Sequence, residues 1–379
     1  MKRIIAFLMT AALLTGVLSG CGSTETSDSA TSAVSTETTE QVSQVPSEEP
    51  TDTSEVASVV ESTLEEPTSV VEETTYQAVD INVGTIKGPT GAGMVKLMDD
   101  AANGAAANNY TFTLSADASE VVTKVVAGEY DIACLPTNSA AMVYQKTQGA
   151  VKLLALNTEG VLHILQNTTN SEPITDWSEL QGKTIYTIGQ GANPEYVLDY
   201  VLKGHGLDPD TDVTIQFCGA ADEVIAACAS GEAEFCMLPE PNVSALMAKV
   251  EGFTQIFDMT EAWDEIVEDG SILTQGCVVV QASFLEEHPE AVEKFLEEYE
   301  ASTTFVNENQ EEAAKLMASY EIVPSEAIAL SALPGCHIIC KTGQEMKDSI
   351  AGYYQVLFDA DPTSIGGALP DDDFYYIAD

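Results

Sequence analysis

Short apolar runs alternate along most of the chain with longer segments whose apolar residues recur at helical spacing. Strands that alternate with helices in this way predict an α/β fold in which mainly parallel sheets carry helices on both faces. The predicted strands are 80–85, 110–114, 132–135, 152–156, 183–187, 213–217, 235–238 and 254–257. The predicted helices are 94–103, 119–127, 139–147, 194–203, 222–229 and 242–249.

A repeated phrase indicates that the chain has two similar halves. Gly-Glu-x-acid, then three residues, then Leu-Pro runs from Gly128 to Pro136 and again from Gly231 to Pro239. Each copy follows a predicted helix and contains a predicted strand. Each half therefore offers two loops at the carboxyl ends of strands, which is where open α/β sheets bind ligands.

Two further extended runs, 161–166 and 277–282, are predicted to be paired strands that cross between two lobes. The first lobe would then comprise 77–163 and the return segment 278–379, and the second lobe would be 164–277. Two connections favour hinge closure around a ligand. The return segment contains the predicted helices 285–306, 310–320 and 345–358.

The amino terminus resembles a bacterial lipoprotein signal, predicted as 1–21. Lys2 and Arg3 precede an apolar stretch, and Leu-Ser-Gly-Cys ends at Cys21. In such signals the cysteine is acylated, for example with palmitate, which predicts a lipid anchor on the extracytoplasmic face of the cell membrane. A secretory signal or a membrane anchor is the alternative. Residues 22–76 are rich in Ser, Thr and Glu and lack Lys and Arg, so we predict a disordered tether.

Charge excludes one class of partner. The chain has 14 Lys plus Arg against 61 Asp plus Glu, and Arg3 is its only arginine. Nucleic-acid binding requires phosphate neutralisation, so we exclude it. Cys336 to Cys340 encloses a histidine and could be read as a metal cluster, but four zinc ligands are not evident and a buried strand is favoured. We therefore predict no metal and no cofactor.

Several motifs, taken in order, carry a family resemblance. The chain resembles the solute-binding lipoproteins of ATP-binding-cassette (ABC) importers, in the nitrate/sulfonate/taurine class that includes carriers of thiamine pyrimidine precursors. The resemblance implies the type II periplasmic-binding-protein fold, a monomer that binds a small solute between two α/β lobes, and partners in a membrane permease and its ATPase. The motifs lie at Lys87–Met94, Leu135–Ala141, Gly182–Ile185, Gly206–Pro209, Leu238–Asn242 and Phe284–Pro289.

The predicted ligand-binding residues come from the four loops. In a cleft, Glu240 would accept hydrogen bonds from an amine or amino-pyrimidine, whereas Lys87 would pair with an anion; the absence of a second arginine favours a neutral or cationic heterocycle. Helix capping and solvent exposure are the alternatives for these side chains. The full set is Lys87, Thr90, Gly91, Thr137 and Asn138 from the first half, and Gln190, Asn193, Glu195 and Glu240 from the second.

Two other classes of function remain open. Some proteins of this fold catalyse steps of pyrimidine or menaquinone biosynthesis, but the sequence shows no nucleophile beside a base, so we predict no enzyme. A cell-surface sensor or adhesive lipoprotein would also use a tether, and it would present an exposed apolar patch rather than a closing cleft.

Overall fold

The computed structural model describes residues 76–378. The predicted signal 1–21, with Cys21, and the tether 22–76, apart from Tyr76, lie outside the described residues. Within 76–378, no helix combines the length and the apolar character that crossing a bilayer requires.

Eleven strands of the described residues form two sheets. The chain is α/β with two lobes, as the sequence predicts, but each sheet is mixed, with parallel and antiparallel pairings. The strands are β1 (Asp80–Ile86), β2 (Asn109–Ser115), β3 (Ile132–Pro136), β4 (Val151–Glu159), β5 (Leu162–Asn167), β6 (Thr184–Ile188), β7 (Thr214–Cys218), β8 (Phe235–Pro239), β9 (Phe253–Asp258), β10 (Thr274–Gln281) and β11 (Ile338–Thr342).

The two sheets have the same plan. Lobe 1 is built on the order β2-β1-β3-β10-β4, extended by β11, and lobe 2 on the order β7-β6-β8-β5-β9. In each sheet the fourth strand of this order, β10 or β5, is antiparallel to both neighbours. The repeated phrase supplies the equivalent strands β3 and β8. The predicted similarity of the two halves is therefore confirmed at the level of topology.

The antiparallel strands are exchanged between the halves. β4 in lobe 1 continues through Gly160 into β5 in lobe 2, and β9 in lobe 2 continues through 259–273 into β10 in lobe 1. The extended runs 161–166 and 277–282 therefore do not pair with each other, because they lie in different sheets. Each completes the sheet of the opposite lobe.

Helices cover both faces of the sheets. On one face of the lobe 1 sheet, Ile81 packs in a buried cluster with Leu97 and Phe295, and on the other face Leu135 packs with Leu357. The helices are α1 (Pro89–Ala92), α2 (Val95–Ala102), α3 (Ala118–Val126), α4 (Thr137–Thr147), α5 (Asn193–Gly204), α6 (Ala221–Ser230), α7 (Asn242–Lys249), α8 (Met259–Asp264), α9 (Ala282–Glu287), α10 (Pro289–Glu308), α11 (Gln310–Ser319), α12 (Glu326–Ala332) and α13 (Gly343–Ala360).

Capping side chains and proline place several of these helix ends. The Asp117 carboxylate accepts from Ser119 N at the start of α3, and Asp258 accepts from Thr260 N at the start of α8. The single helix predicted over 285–306 is in fact two helices. α9 ends before His288, and α10 begins at Pro289, where a missing N–H costs nothing in the first turn.

Candidate functional site

The loops that follow β1 and β8 face each other across the two lobes. A Cβ placed on Gly88, after β1, would lie 4.0 Å from Cδ of Pro241, after β8. Gly88 has φ 91°, a conformation that favours glycine. The carboxyl ends of the parallel strands in the two lobes thus meet, as expected for a binding cleft in an open α/β fold.

Gly91 is required by the fold itself. A Cβ at this position would lie 2.2 Å from the carbonyl oxygen of Ile86, at the end of β1. Only glycine allows α1 to turn back so closely over the strand that precedes it. The close approach that Gly91 allows is therefore made to the chain's own backbone.

A buried polar cluster lies behind the β1 loop in lobe 1. Asn157 Nδ2 donates to the carbonyl oxygen of Thr90 at 3.0 Å, and Thr158 Oγ1 donates to Asn157 Oδ1 at 2.9 Å. Gly276 makes room for them, since a Cβ there would lie 2.4 Å from Asn157 Oδ1 and 2.9 Å from Thr90 Oγ1. The cluster thus joins α1, β4 and β10. Sequence reasoning missed Asn157, Thr158 and Gly276, although the polar pair interrupts an apolar strand.

Thr137 extends the same cluster. Its Oγ1 lies 3.5 Å from Thr274 Oγ1, which donates to the carbonyl oxygen of Thr158 at 3.0 Å. Gln275 follows Thr274 at an irregularity of β10, and its Nε2 is buried without a hydrogen-bond partner in the described part of the chain. An unmade hydrogen bond of this kind costs about 1–3 kcal/mol. Gln275, next to the cluster in the chain, thus has a buried donor that is free within the described residues.

Glu240 is the buried acid of the facing loop. Its side chain is 5% exposed and accepts from Ser244 N at 3.1 Å and from Ser244 Oγ at 3.0 Å. Burial raises the pKa of Glu240 to about 7, against the opposing effect of the Ser244 hydrogen bonds. The segment around Gly335 covers it, because a Cβ on Gly335 would lie 3.3 Å from Cγ of Glu240.

Lys87 lies in a very different environment. It is exposed, and its Nζ lies 3.4 Å from Glu321 Oε2, whose side chain is 81% exposed. Such surface ion pairs contribute little. Lys87, Gly88, Pro241 and Glu321 line a groove of about 680 Å³ at the rim between the lobes. Of Lys87 and Glu240, only Glu240 is withdrawn from water.

Three of the other predicted site residues form side-chain hydrogen bonds with residues outside the predicted set, and the fourth is exposed. Asn193 Oδ1 accepts from Tyr353 at 2.6 Å, and Asn138 Nδ2 donates to the carbonyl oxygen of Ser364 at 3.4 Å. Glu195 accepts from the backbone N of Gly191, and Gln190 is exposed.

Helix α13 bridges the remaining two loops. Tyr353 binds Asn193, at the start of α5 in lobe 2, while its neighbour Tyr354 donates to the carbonyl oxygen of Thr137, at the start of α4 in lobe 1, at 3.0 Å. Both tyrosines are buried. The structure thus brings Thr137 and Asn193 to one helix, but it gives them structural hydrogen bonds there.

Cysteine and metal chemistry can be stated for the described residues. The seven cysteines of this part of the chain are free, and burial raises the pKa of the Cys340 thiol to about 12. Over 76–378, no cluster of three or more His, Cys, Asp or Glu side chains has an arrangement suited to a metal ion. The buried strand predicted at 336–340 is only partly found, since Cys340 lies half-buried in β11 whereas Cys336 lies in the 3-10 turn before it.

Comparisons with solved structures show the fold. An ABC transporter protein from Parabacteroides distasonis is 21% identical, with a TM-score of 0.66, over 78% of this chain and 98% of its own. The periplasmic aliphatic sulphonate binding protein SsuA of Escherichia coli is 13% identical, with a TM-score of 0.60, over 79% of this chain and 94% of its own. The fold is that of the type II periplasmic binding proteins.

Sequence comparisons add a relative and a family. YtlA of Bacillus subtilis (strain 168), named as a binding protein, is 30% identical over 139 residues, which are 34% of this chain and only 39% of the relative's length. The family model described as NMT1/THI5 like matches residues 111–313, more than half of the 379 residues. The chain therefore belongs to the NMT1/THI5-like family.

Proposed function

We propose that the chain is an extracytoplasmic solute-binding lipoprotein of an ABC-type importer. It captures a small organic solute between its lobes and delivers it to a membrane permease driven by an ATPase. The observation that carries the proposal is the facing pair of loops at Gly88 and Pro241, with buried polar groups behind both. Acylation of Cys21, a tether over 22–76 and a monomeric state belong to the same proposal, because a carrier must stay near its permease.

The charge of the site supports a neutral or cationic solute. SsuA of Escherichia coli is described as binding aliphatic sulphonates. A sulphonate bound here would find no arginine, since Arg3 lies in the predicted signal, and Lys87 is exposed and already paired with Glu321. Glu240 is buried with no cation beside it among the hydrogen bonds and ion pairs of the described residues. An N–H donor or an ammonium group would offset the cost of ionising Glu240 in this position.

The solute would be held by both lobes. Glu240 would bind its nitrogen in lobe 2, while Thr90, Thr137 and the free Nε2 of Gln275 offer neutral polar contacts in lobe 1. A solute with a basic or N–H-bearing group at one end and hydrogen-bonding oxygens or ring nitrogens at the other matches this arrangement. Gln190, Asn193, Glu195 and Asn138 would act at the margins of the cleft.

A thermal-shift panel tests the proposal. The secreted chain from residue 22 onward would be heated with thiamine pyrimidines, thiamine, polyamines, amino acids, taurine, alkylsulphonates and nitrate. A solute at a hundred times its dissociation constant stabilises the folded state by about 2.7 kcal/mol, which is a rise in Tm of about 5 °C for a chain of this size. We expect one nitrogenous compound to give a saturable shift.

Matched variants assign the charge partner. Glu240→Gln should abolish the shift and Lys87→Met should leave it unchanged. Glu251→Gln, at an exposed glutamate of lobe 2 outside the predicted set, is the control for loss of a carboxylate and should also leave it unchanged. A saturable shift with a sulphonate that is lost in Lys87→Met would reverse the assignment. A panel without any saturable shift would count against the importer proposal, and turnover of a bound compound would indicate an enzyme.

A further inference from the structure

Three ionisable side chains from separate elements meet where the chain crosses between the lobes. His163 Nδ1, in β5, and His337 Nε2, just before β11, each lie 3.4 Å from the same oxygen, Oδ2 of Asp258 at the end of β9. The two imidazole rings are 6.0 Å apart between centroids. The cluster adjoins both crossings, because Gly160 belongs to the first and Thr260 to the second.

In each histidine, the ring nitrogen that faces away from Asp258 donates a hydrogen bond. His163 Nε2 lies 3.1 Å from the carbonyl oxygen of Gly335, and His337 Nδ1 lies 2.5 Å from the carbonyl oxygen of Gly160. A carbonyl oxygen only accepts, so each of these nitrogens carries the ring's hydrogen. In a neutral ring the other nitrogen then presents a lone pair.

Two lone pairs therefore face one carboxylate oxygen when both rings are neutral. His163 Nδ1 is buried and has no hydrogen-bond partner within residues 76–378. The other oxygen of Asp258 is already used, since Oδ1 accepts from Thr260 N at 2.8 Å. A proton on either inward nitrogen would turn this repulsion into a charge-assisted hydrogen bond.

The charged groups around the cluster favour a proton on one of the two ring nitrogens that face Asp258. Burial lowers the pKa of His163, whereas the Asp258 carboxylate opposes this shift. The His337 side chain keeps 23% of its exposure, so water reaches it, and we expect it to take up the proton. The other groups facing the cluster are acidic, apart from one lysine and one thiol: Glu159 from β4, Glu261 and Asp264 from α8, Glu240 after β8, Cys336 before β11, and Lys341 in β11.

We propose that His337, Asp258 and His163 form a proton-dependent latch, which fastens the carboxyl-terminal segment of lobe 1 to the end of the lobe 2 sheet when His337 is protonated. Gly160 and Thr260 place this latch on the two crossings, about which the lobes would move. Opening would separate His337 from Asp258. The latch rests on these contacts and not on the identity of the solute in the cleft.

The direction of the pH effect follows from linkage. The latched form binds the extra proton more tightly than the open form, so acid pH favours it and the effect is lost as pH rises. The ratio of latched to open forms grows by up to roughly tenfold for each factor of ten by which the latched form binds the proton more tightly than the open form.

Hydrogen–deuterium exchange of the full-length chain tests the latch without a solute. Exchange would be followed at pH 5.5 and 7.5, corrected for intrinsic rates, with a chelator present so that a metal ion cannot replace the proton. We expect protection of 159–163, 258–264 and 335–340 to rise several-fold to tenfold at pH 5.5, while β2 stays unchanged as an internal reference.

Three variants make the result specific. Asp258→Asn keeps the oxygen that caps α8 but removes the charge, and His337→Gln removes the titrating ring; both should abolish the pH-dependent protection. His288→Gln is the control, because its ring packs against Phe284 in lobe 1, outside the three segments that are followed, and it should retain the effect. Equal protection at the two pH values in the wild-type chain, or a pH effect that survives in Asp258→Asn, would overturn the latch. Neither result depends on the thermal-shift panel, so the importer proposal stands or falls separately.

Discussion

Replacing Glu240 by glutamine should stabilise the fold at alkaline pH and leave it nearly unchanged at acid pH. The carboxyl group is buried, with Ser244 N and Oγ as its hydrogen-bond donors in the described chain. Burial raises the pKa of Glu240 from 4.5 to about 7. Glutamine keeps the shape and retains an oxygen for Ser244 N, but it removes the charge that burial penalises.

The magnitude can be worked out from this shift. Between pH 4.5 and about 7 the folded chain holds a proton on Glu240 that the unfolded chain has released, so the folded state binds more protons and stability falls as pH rises. At 1.36 kcal/mol per unit, the ionised group costs on the order of 3 kcal/mol above pH 7. The Ser244 hydroxyl must turn round to accept from the new amide, so we expect a net gain of about 1–2 kcal/mol at pH 8.5.

Urea denaturation at pH 4.5 and 8.5, followed by circular dichroism, measures the difference. The free energy of unfolding should rise in Glu240→Gln at pH 8.5 only. Glu195→Gln is the control, because Glu195 is only partly buried and its carboxylate binds Gly191 N near the surface. A gain of equal size at both pH values, or a loss at pH 8.5, would refute the view that burial of this carboxylate strains the fold.

Two substitutions test the packing around the site. Gly276→Ala would place a Cβ 2.4 Å from Asn157 Oδ1 and should destabilise the fold by about 1–3 kcal/mol in the same denaturation assay. Gly219→Ala is the control, because its Cβ would lie 3.4 Å from Glu223 Oε2, and it should change the free energy of unfolding by less than about 0.5 kcal/mol; equal effects would contradict the close packing. Trp263→Phe should lower the free energy of unfolding by about 2–4 kcal/mol, because the buried indole Nε1 donates to the carbonyl oxygen of Ser271 at 3.1 Å and phenylalanine would leave that oxygen unpaired. A loss below about 0.5 kcal/mol would show that water or a neighbouring group replaces this hydrogen bond.

The strands were predictable because their sequence signal is local. Short apolar runs between turn residues locate most strands to within a residue or two, and the repeated phrase identifies β3 and β8 as equivalent. The two antiparallel strands show the limit of this reasoning. β5 and β10 both read as extended apolar runs, but which sheet each joins depends on pairing with residues far away in the chain.

The surroundings of the candidate site residues were only partly predictable. Thr90, Thr137 and Glu240 lie buried where strands end, as the loop positions suggest. Asn138 and Asn193 instead hold the carboxyl-terminal segment, since Ser364 and Tyr353 lie more than 150 residues further along the chain. A polar residue at a helix start fits capping, ligand binding and tertiary hydrogen bonding equally well, and only the fold decides among them.

The buried acid and the histidine cluster are physically connected through Gly335. Its carbonyl oxygen accepts from His163 Nε2, and a Cβ at this position would lie 3.3 Å from Cγ of Glu240. Glu240 is easier to bury in its protonated form, and the latch closes when His337 gains a proton, so both groups favour a compact arrangement at acid pH. A cationic group bound to Glu240 would provide at neutral pH the positive charge that a proton provides at acid pH. Solute and proton would therefore act on the same segment of lobe 1 and in the same direction.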